Sequence, residues 1–207
     1  MTLRIIGDVH GKYKDYVKIC QDAEQKGYFT VQIGDHGLSY EHFEHYKLSR
    51  NNHRFFAGNH ENYYLYNDCP NAMGDYGHLI MGGVEFFFVR GAFSIDKSFR
   101  KEGIDWWPTE ELSMESCYWA LESYKNAKPD IMLSHDCPDE VKDFMVNNGI
   151  GILGKKIIKT RTGQLLQAMF EFHRPKLHIF GHWHKSLTVN IKGTKFICLN
   201  ELEYIDI

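Results

Sequence analysis

The stretch Leu3-Arg4-Ile5-Ile6-Gly7-Asp8-Val9-His10-Gly11 sets the pattern that the rest of the chain repeats. A short apolar run reads as a buried strand, a glycine ends it, and two side chains able to ligate a metal follow at once. The same succession returns downstream. Tyr28 to Ile33 reads as a strand ending in Gly34-Asp35-His36-Gly37, and His53 to Ala57 as one ending in Gly58-Asn59-His60-Glu61. Ile131 to Leu133 leads into Ser134-His135-Asp136, and Leu177 to Phe180 into Gly181-His182-Trp183-His184. In open α/β sheets the loops at the carboxyl ends of strands line the ligand crevice. Five ligand-bearing loops that span most of the sequence can therefore converge on one place.

The segments between these strands carry helical spacing. Tyr13, Tyr16, Val17, Cys20 and Ala23 recur on one face, with Gly27 as the stop. Further helices are expected over Ser39 to Arg50, Pro108 to Lys125, Pro138 to Val146 and Gly163 to Phe172. Val84 to Val89 reads as another strand, ending at Arg90-Gly91. Two last strands, Leu187 to Ile191 and Lys195 to Leu199, flank a turn at Lys192-Gly193-Thr194. Alternating strands and helices predict an α/β layered fold. No Pro/Ser-rich linker, charge block or repeat divides the chain, so one domain over residues 1–207 is expected.

The ligand types constrain the chemistry. Asp8, His10, Asp35, Asn59, His135, His182 and His184 offer carboxylates, imidazoles and one amide, with no thiolate. That set suits manganese, iron, zinc or similar ions rather than a Cys-rich structural zinc site. Seven ligands exceed one tetrahedral site and fit two ions sharing a carboxylate. Two ions about 3.5–4 Å apart acidify a water and clamp both oxygens of a displacement at phosphorus. Taken singly, each residue is equally an ordinary polar loop residue; seven in this order favour metal.

The order DxH, GD, GNHE, H and GHxH resembles the calcineurin-like metallophosphoesterase family, and the match runs from Asp8 to His184. The resemblance implies a four-layer αββα sandwich, two mixed β-sheets flanked by helices. It implies that Asp8, His10, Asp35 and His184 hold one metal, and that Asp35, as the bridge, with Asn59, His135 and His182 holds the second. It further implies hydrolysis of phosphomonoesters or phosphodiesters, small or nucleotide-like, by a metal-bridging hydroxide, with His60 assisting the leaving group. The ions would be two divalent transition metals, manganese first, with iron, zinc, nickel or cobalt as alternatives. His60 has a second reading, as a residue that orients a ligand. Other functions of the same family stand beside this one: a serine/threonine protein phosphatase, a nuclease of short oligonucleotides, or a binding scaffold without turnover.

Departures from the family narrow these options. The protein phosphatase branch continues its GD loop into DRG and carries Arg before GNHE; here Gly34-Asp35-His36-Gly37-Leu38-Ser39 and Ala57-Gly58 stand instead. Phosphoprotein substrates are disfavoured accordingly, and His36 is a candidate to take over part of the missing work. The segment Arg90-Gly91-Ala92-Phe93-Ser94-Ile95-Asp96, with Arg100 and Trp106-Trp107-Pro108 after it, resembles bacterial and phage members. Arg90 and Arg100 are open to two readings, a bidentate phosphate contact or a surface ion pair. Trp106 and Trp107 read as packing before they read as a substrate wall, and Glu61 reads as structural. Gly149-Ile150-Gly151-Ile152-Leu153-Gly154 matches GxGxxG, but a helix end precedes it where a dinucleotide site needs a strand. A solvated loop over 148–162 is expected, with a basic flap of Lys155, Lys156, Lys159 and Arg161 as the alternative.

The net charge of -3 argues against holding long nucleic acid by charge. No run approaches the ~18 apolar residues of a membrane span, and the apolar start is too short for a signal peptide. Five scattered cysteines, odd in number and never in a CxxC pair, fit small core side chains in a reducing cytoplasm. A phosphate-ester substrate is the one partner expected, and the oligomeric state is left open.

Overall fold

The computed structural model describes residues 2–150 and 158–207. In it β1 (Leu3–Ile6) runs parallel to β2 (Phe29–Ile33), and β2 parallel to β3 (His53–Phe56), with Ile5 opposite Val31 and Gln32 opposite Phe55. A short strand near the C-terminus, Tyr204–Asp206, pairs antiparallel with the free edge of β1, setting Arg4 opposite Asp206. The second sheet comprises β4 (Tyr76–Met81), β5 (Val84–Val89), β6 (Ile131–Ser134), β7 (Leu177–Phe180), β8 (Leu187–Ile191) and β9 (Thr194–Cys198). With the C-terminal strand as β10, the two sheets have the orders β10-β1-β2-β3 and β4-β5-β6-β7-β9-β8. Both are mixed: β5, β6, β7 and β9 are parallel, while β4 and β8 close the edges antiparallel.

Parallel neighbours need crossover connections. Helices α1 (Tyr13–Gln25) and α2 (Glu41–His45) supply them in the first sheet, α3 (Tyr63–Tyr66) leads on to the second, and α4 (Met114–Ala127), α5 (Asp139–Asn147) and α6 (Arg161–Phe172) supply them there, with β8 itself between β7 and β9. Side chains alternate across each strand, so every strand dresses two layers. Leu3, Ile5, Val31, Ile33 and Phe56 of the first sheet pack against Phe86, Phe88, Leu133, Ile179 and Ile197 of the second. On the outer face of the first sheet, Ile6 and Phe55 meet Tyr16, Val17 and Cys20 of α1. On the outer face of the second, Phe87, Val89 and Met132 meet Cys117, Ala120 and Tyr124 of α4 and Leu165, Leu166 and Met169 of α6. The layers are thus helix, sheet, sheet, helix, as expected. Apolar burial of this kind contributes about 1.5–3 kcal/mol per large side chain, before the entropy of ordering the chain is set against it.

The helix expected over Ser39 to Arg50 contracts to the five residues of α2. Lys47 takes a left-handed backbone (φ 55°) and Leu48 N donates to Phe43 O, which folds the chain back and buries Leu48. The helix expected from Pro108 begins instead at Met114, because Ser113 accepts from Ser116 N at 3.0 Å as its N-cap. Pro108–Glu110 forms a separate turn of 3-10 helix. Strand β4 escapes a pattern search because it is an edge strand with Leu79 and Ile80 exposed, and β10 is only three residues long. The turn between β8 and β9 uses Lys192 and Gly193, both with positive φ (49° and 90°), the hairpin geometry that favours glycine second.

Residues 151–157 lie outside the described residues, and with them four of the six residues of the GxGxxG match and two of the four of the basic flap, Lys155 and Lys156; α5 ends at Asn147 before the match. Cys20, Cys117, Cys137 and Cys198 are buried and Cys69 half-buried, all as free thiols. Among the described residues no helix is long and apolar enough to cross a membrane.

Candidate metal centre

All five ligand-bearing loops meet at the carboxyl ends of β1, β2, β3, β6 and β7. The Nε2 atoms of His10 and His184 lie 2.9 Å apart, and Asp8 Oδ2 is 3.1 Å from His184 Nε2 and 3.5 Å from His10 Nε2. Asp35 Oδ2 approaches the same point, 3.6 Å from His10 Nε2. The other oxygen of Asp35 faces the opposite way, 3.2 Å from His135 Nε2, which is itself 3.2 Å from Asn59 Oδ1. Ligand atoms of Asp8, His10, Asp35 and His184 form one cluster within 4.8 Å, and those of Asp35, His135 and His182 form a second. Asp35 belongs to both. The seven expected ligands are therefore together, in two groups about a common carboxylate.

The backbone is bent to achieve this. His10, Asp35, His182 and His184 all have left-handed φ (47°, 52°, 66° and 49°), a conformation that costs about 1–3 kcal/mol per non-glycine residue. Backbone donors then fix the carboxylates: His60 N gives to Asp35 Oδ1 at 2.8 Å, and His182 N to Asp8 Oδ1 at 3.1 Å. Two glycines make the close approach possible. A Cβ at Gly58 would lie 2.2 Å from Asp35 Oδ1, and one at Gly181 would lie 2.3 Å from Asp8 Oδ1.

A cation fits this arrangement. Asp35 Oδ2 is fully buried with no hydrogen-bond partner, and leaving a buried carboxylate oxygen unmet is costly. Nitrogen and oxygen atoms converge with no thiolate among them, the chemistry of a manganese-, iron- or zinc-type site. Burial opposes charge on both Asp8 and His135. Hydrogen bonds from His10 and His184 nevertheless hold Asp8 down to about 2, and the Asp35 carboxylate draws His135 up to about 10. Burial pushes His182 down to about 4, leaving its imidazole neutral and free to ligate. His135 Nδ1 donates to Ile33 O at 2.9 Å, which turns Nε2 toward the centre.

His60 stands at the mouth of the site, a quarter exposed, with Nε2 3.9 Å from Asp35 Oδ2 and 3.4 Å from Arg100 Nη2. Burial lowers its pKa, with Asp35 opposing. Arg100 faces the same cleft but is held by Asp96 through two bonds of 2.8 and 2.7 Å. Arg90 is elsewhere: buried, bonded to Asp75 and donating to Thr109 O, it is an ion pair rather than part of the cleft. His36 is likewise not in the cleft. Its ring is fully buried between Tyr40, Phe43 and Phe55, with Nε2 2.8 Å from His42 Nε2. Trp107 is buried and packs against Tyr63, as packing residues do. Glu61 ties two ligand loops together, accepting from His36 N, Gly58 N and Tyr40 Oη.

Several contributors escape the sequence reading. Ser94 Oγ accepts from Asn59 Nδ2 at 2.9 Å and donates to Glu110. Glu201 Oε1 lies 3.5 Å from His184 Nδ1, and Asp136 accepts from Trp183 Nε1 at 3.3 Å. Glu201 does carry a signal: β9 ends at Cys198 and Leu199-Asn200-Glu201 follow, a sixth strand end with a carboxylate just beyond it. Above the metal centre opens a cleft of about 1090 Å³.

Solved structures share this fold at low sequence identity. A Thermus thermophilus protein superposes with a TM-score of 0.53 at 12% identity, covering 97% of this chain and 89% of its own. The phosphopantetheinyl hydrolase of Mycobacterium tuberculosis gives 0.51 at 12% identity, with the same coverages of 97% and 89%. A Staphylococcus aureus protein assigned to the 5′-nucleotidases gives 0.52 at 13%, covering 99% of this chain; the chain spans 50% of that protein's length. No match is found among curated proteins. Residues 1–186 match the calcineurin-like phosphoesterase profile, and with nine-tenths of its sequence under that match the chain belongs to the calcineurin-like phosphoesterase family.

Proposed function

We propose that the chain is a divalent-metal-dependent phosphoesterase that hydrolyses small phosphomonoesters or phosphodiesters, nucleotide-like ones included. The observation that carries this reading is the shared Asp35 carboxylate, buried between two groups of nitrogen and oxygen ligands with one oxygen lacking any hydrogen bond. Asp8, His10, Asp35 and His184 would hold one ion, and Asp35, Asn59, His135 and His182 the other. When bound, such a pair acidifies a water and neutralises the phosphate oxygens. Manganese is the proposed occupant of both positions.

The chain's own residues supply the rest. Water adds its oxygen to phosphorus, the ester P–O bond breaks, and the departing alkoxide needs a proton. His60 is the group placed to give it, since Nε2 faces the cleft beside Asp35. Burial keeps its imidazole neutral at rest; a bound phosphate dianion would favour the charged form and load the proton. Arg100, fixed by Asp96 with one Nη2 turned to His60, is placed to contact a phosphate oxygen. All five cysteines are free, which supports a reducing, cytoplasmic setting.

Metal analysis paired with hydrolysis of p-nitrophenyl phosphate and bis-p-nitrophenyl phosphate tests the proposal. Manganese-dependent release from either ester is expected. Protein that binds no metal under any condition would overturn it, and two bound metals without turnover would point to a binding scaffold.

A further inference from the structure

The cleft above the metal centre has a chemical character of its own. Its floor is polar, formed by His10, Asp35, Asn59, His60, His182 and His184, but much of its wall is not. Leu38 comes from the loop after Asp35, Phe93 and Ile95 from the segment after β5, Val146 from α5, and Ile158 from the chain leading into α6. These side chains reach the cleft from four separate parts of the fold. Leu38, Ile95 and Ile158 stand 43%, 50% and 53% exposed, although they line a concavity rather than the open surface. Apolar surface left in water at the rim of a reactive centre is surface that a ligand can cover favourably.

The charges around the cleft point the same way. Among its described lining residues the cations other than histidine are Arg100 and Lys142, and both are already engaged. Arg100 is paired with Asp96; Lys142, nearly fully buried, is paired with Asp136 and donates to Thr160 Oγ1 at 2.9 Å. The acids that line the same space are engaged as well: Asp96 on Arg100, Glu201 on Lys12, and Asp105 on the backbone N of Lys101. An ester carrying a second phosphate or a carboxylate would find no uncommitted cation among these residues once its first phosphate was seated.

Resting on the phosphoesterase reading above, and narrowing it away from the nucleotide-like esters it admits, we propose that this cleft selects esters of a single phosphate whose organic arm is apolar, alkyl or aryl, over esters of polyhydroxylated or further-charged alcohols. The phosphate sits on the metal floor. The arm lies along Leu38, Phe93 and Ile95, where no uncommitted cation of the described lining stands to receive an additional anionic group.

The test uses binding, so that it does not depend on turnover. Manganese-loaded protein is titrated calorimetrically with n-hexylphosphonate, methylphosphonate and 2-phosphonoacetate, which share the phosphonate head and cannot be hydrolysed at the P–C bond. Hexylphosphonate is expected to bind at least tenfold tighter than methylphosphonate, and phosphonoacetate no tighter than methylphosphonate. In the variant Leu38→Ser/Ile95→Ser, at two exposed positions, the hexyl preference should fall at least threefold. Equal affinity for the hexyl and methyl compounds, or a preference unchanged in the variant, would overturn the inference. Hydrolysis of n-hexyl phosphate against glycerol 1-phosphate, both esters of primary alcohols, is run in parallel. Turnover without an alkyl preference sinks the selectivity alone. A hexyl preference in binding with no turnover of any ester sinks the hydrolase reading and leaves the selectivity standing.

Discussion

The Asn59 amide is locked by Ser94: Nδ2 donates to Ser94 Oγ at 2.9 Å, and Oδ1 is thereby turned toward His135 and the metal centre. Ser94 is locked in turn by Glu110, which accepts from both its hydroxyl and its backbone N. An amide ligates a cation only through oxygen, and a free Asn can flip. Ser94→Ala removes the acceptor that sets the flip. Its affinity for one of the two proposed manganese ions should fall by about 10–100-fold, the usual cost of losing a partner behind a ligand. Calorimetric titration with manganese reads this directly, and two unchanged affinities would remove the relay from the site.

His60 meets the centre through Asp35, by its backbone N and at 3.9 Å through its ring, and lies edge-on to the His10 ring. His60→Ala keeps the backbone bond and deletes the ring. Both metals should stay bound while kcat falls by about 10²–10⁴-fold, the range for general acid catalysis. Because burial lowers the His60 pKa and a general acid must be protonated to act, the basic limb of the wild-type kcat/KM profile should begin below pH 6.5 and be absent in the variant. Loss of metal on substitution would make His60 a ligand-orienting residue instead.

Gly181 separates β7 from His182 with its own Cα close against the Asp8 carboxylate, where a Cβ would stand 2.3 Å from Oδ1. Its φ is not in the left-handed range, so alanine fits the local backbone and fails only against the ligand. Gly181→Ala should therefore keep the far-ultraviolet circular dichroism of the wild type yet lose the ion held by Asp8, His10 and His184. One equivalent of manganese by elemental analysis is the expected result, against two in the parent.

Much of this site is readable from sequence because it is local in sequence. Each proposed ligand sits within four residues of a strand end, so an apolar run and, at most of them, a glycine mark its place, and the fold's parallel strands bring those ends together. What sequence does not supply is orientation. Arg90 and Arg100 look equivalent as residues; only the pairing of Arg90 with Asp75, across the start of β4, takes it out of the cleft. His36 adjoins a ligand, yet the left-handed turn at Asp35 sends its ring into the aromatic layer with His42 and Phe55. Glu110, expected in the first turn of a helix, instead reaches back 16 residues to Ser94. Strand β10 depends on long-range pairing with β1, Arg4 opposite Asp206, Ile5 opposite Ile205 and Ile6 opposite Tyr204, which three residues cannot announce.

Arg4 itself is 1% exposed in the middle of a strand, with Asp206 and Asp22 on its guanidinium and Tyr204 beneath it at 4.1 Å. It fastens β10 to β1 and α1 to the sheet. Arg4→Ala removes the packed stem as well as both pairings, and the carboxylates, about a third to a half exposed, regain water. A loss of about 2–4 kcal/mol is expected by urea unfolding, mostly from the buried stem and the cavity it leaves. Arg4→Met, which keeps much of the volume, should recover at least half of that loss. Equal losses in the two variants would place the stabilisation in the charges.

His178 lies fully buried in β7, its Nε2 2.7 Å from Ser134 Oγ. The Ser134 hydroxyl gives its proton to Asp136 O, so it accepts from His178, which must be the neutral tautomer protonated at Nε2. Burial pushes this imidazole down to about 3, against 6.5 for an exposed histidine. The folded state therefore resists a proton that the unfolded state accepts. Its stabilising contribution is complete above pH 6.5 and is lost as pH falls from there toward 3, because the unfolded chain binds more protons throughout that window. Between pH 7 and 5 this single group should withdraw about 2 kcal/mol from the unfolding free energy. His178→Gln retains a donor for Ser134 and cannot titrate. Urea unfolding at pH 7 and pH 5 should show the wild type losing about 2 kcal/mol more than the variant over that interval. Parallel losses in the two would mean that His178 is solvated in the folded protein.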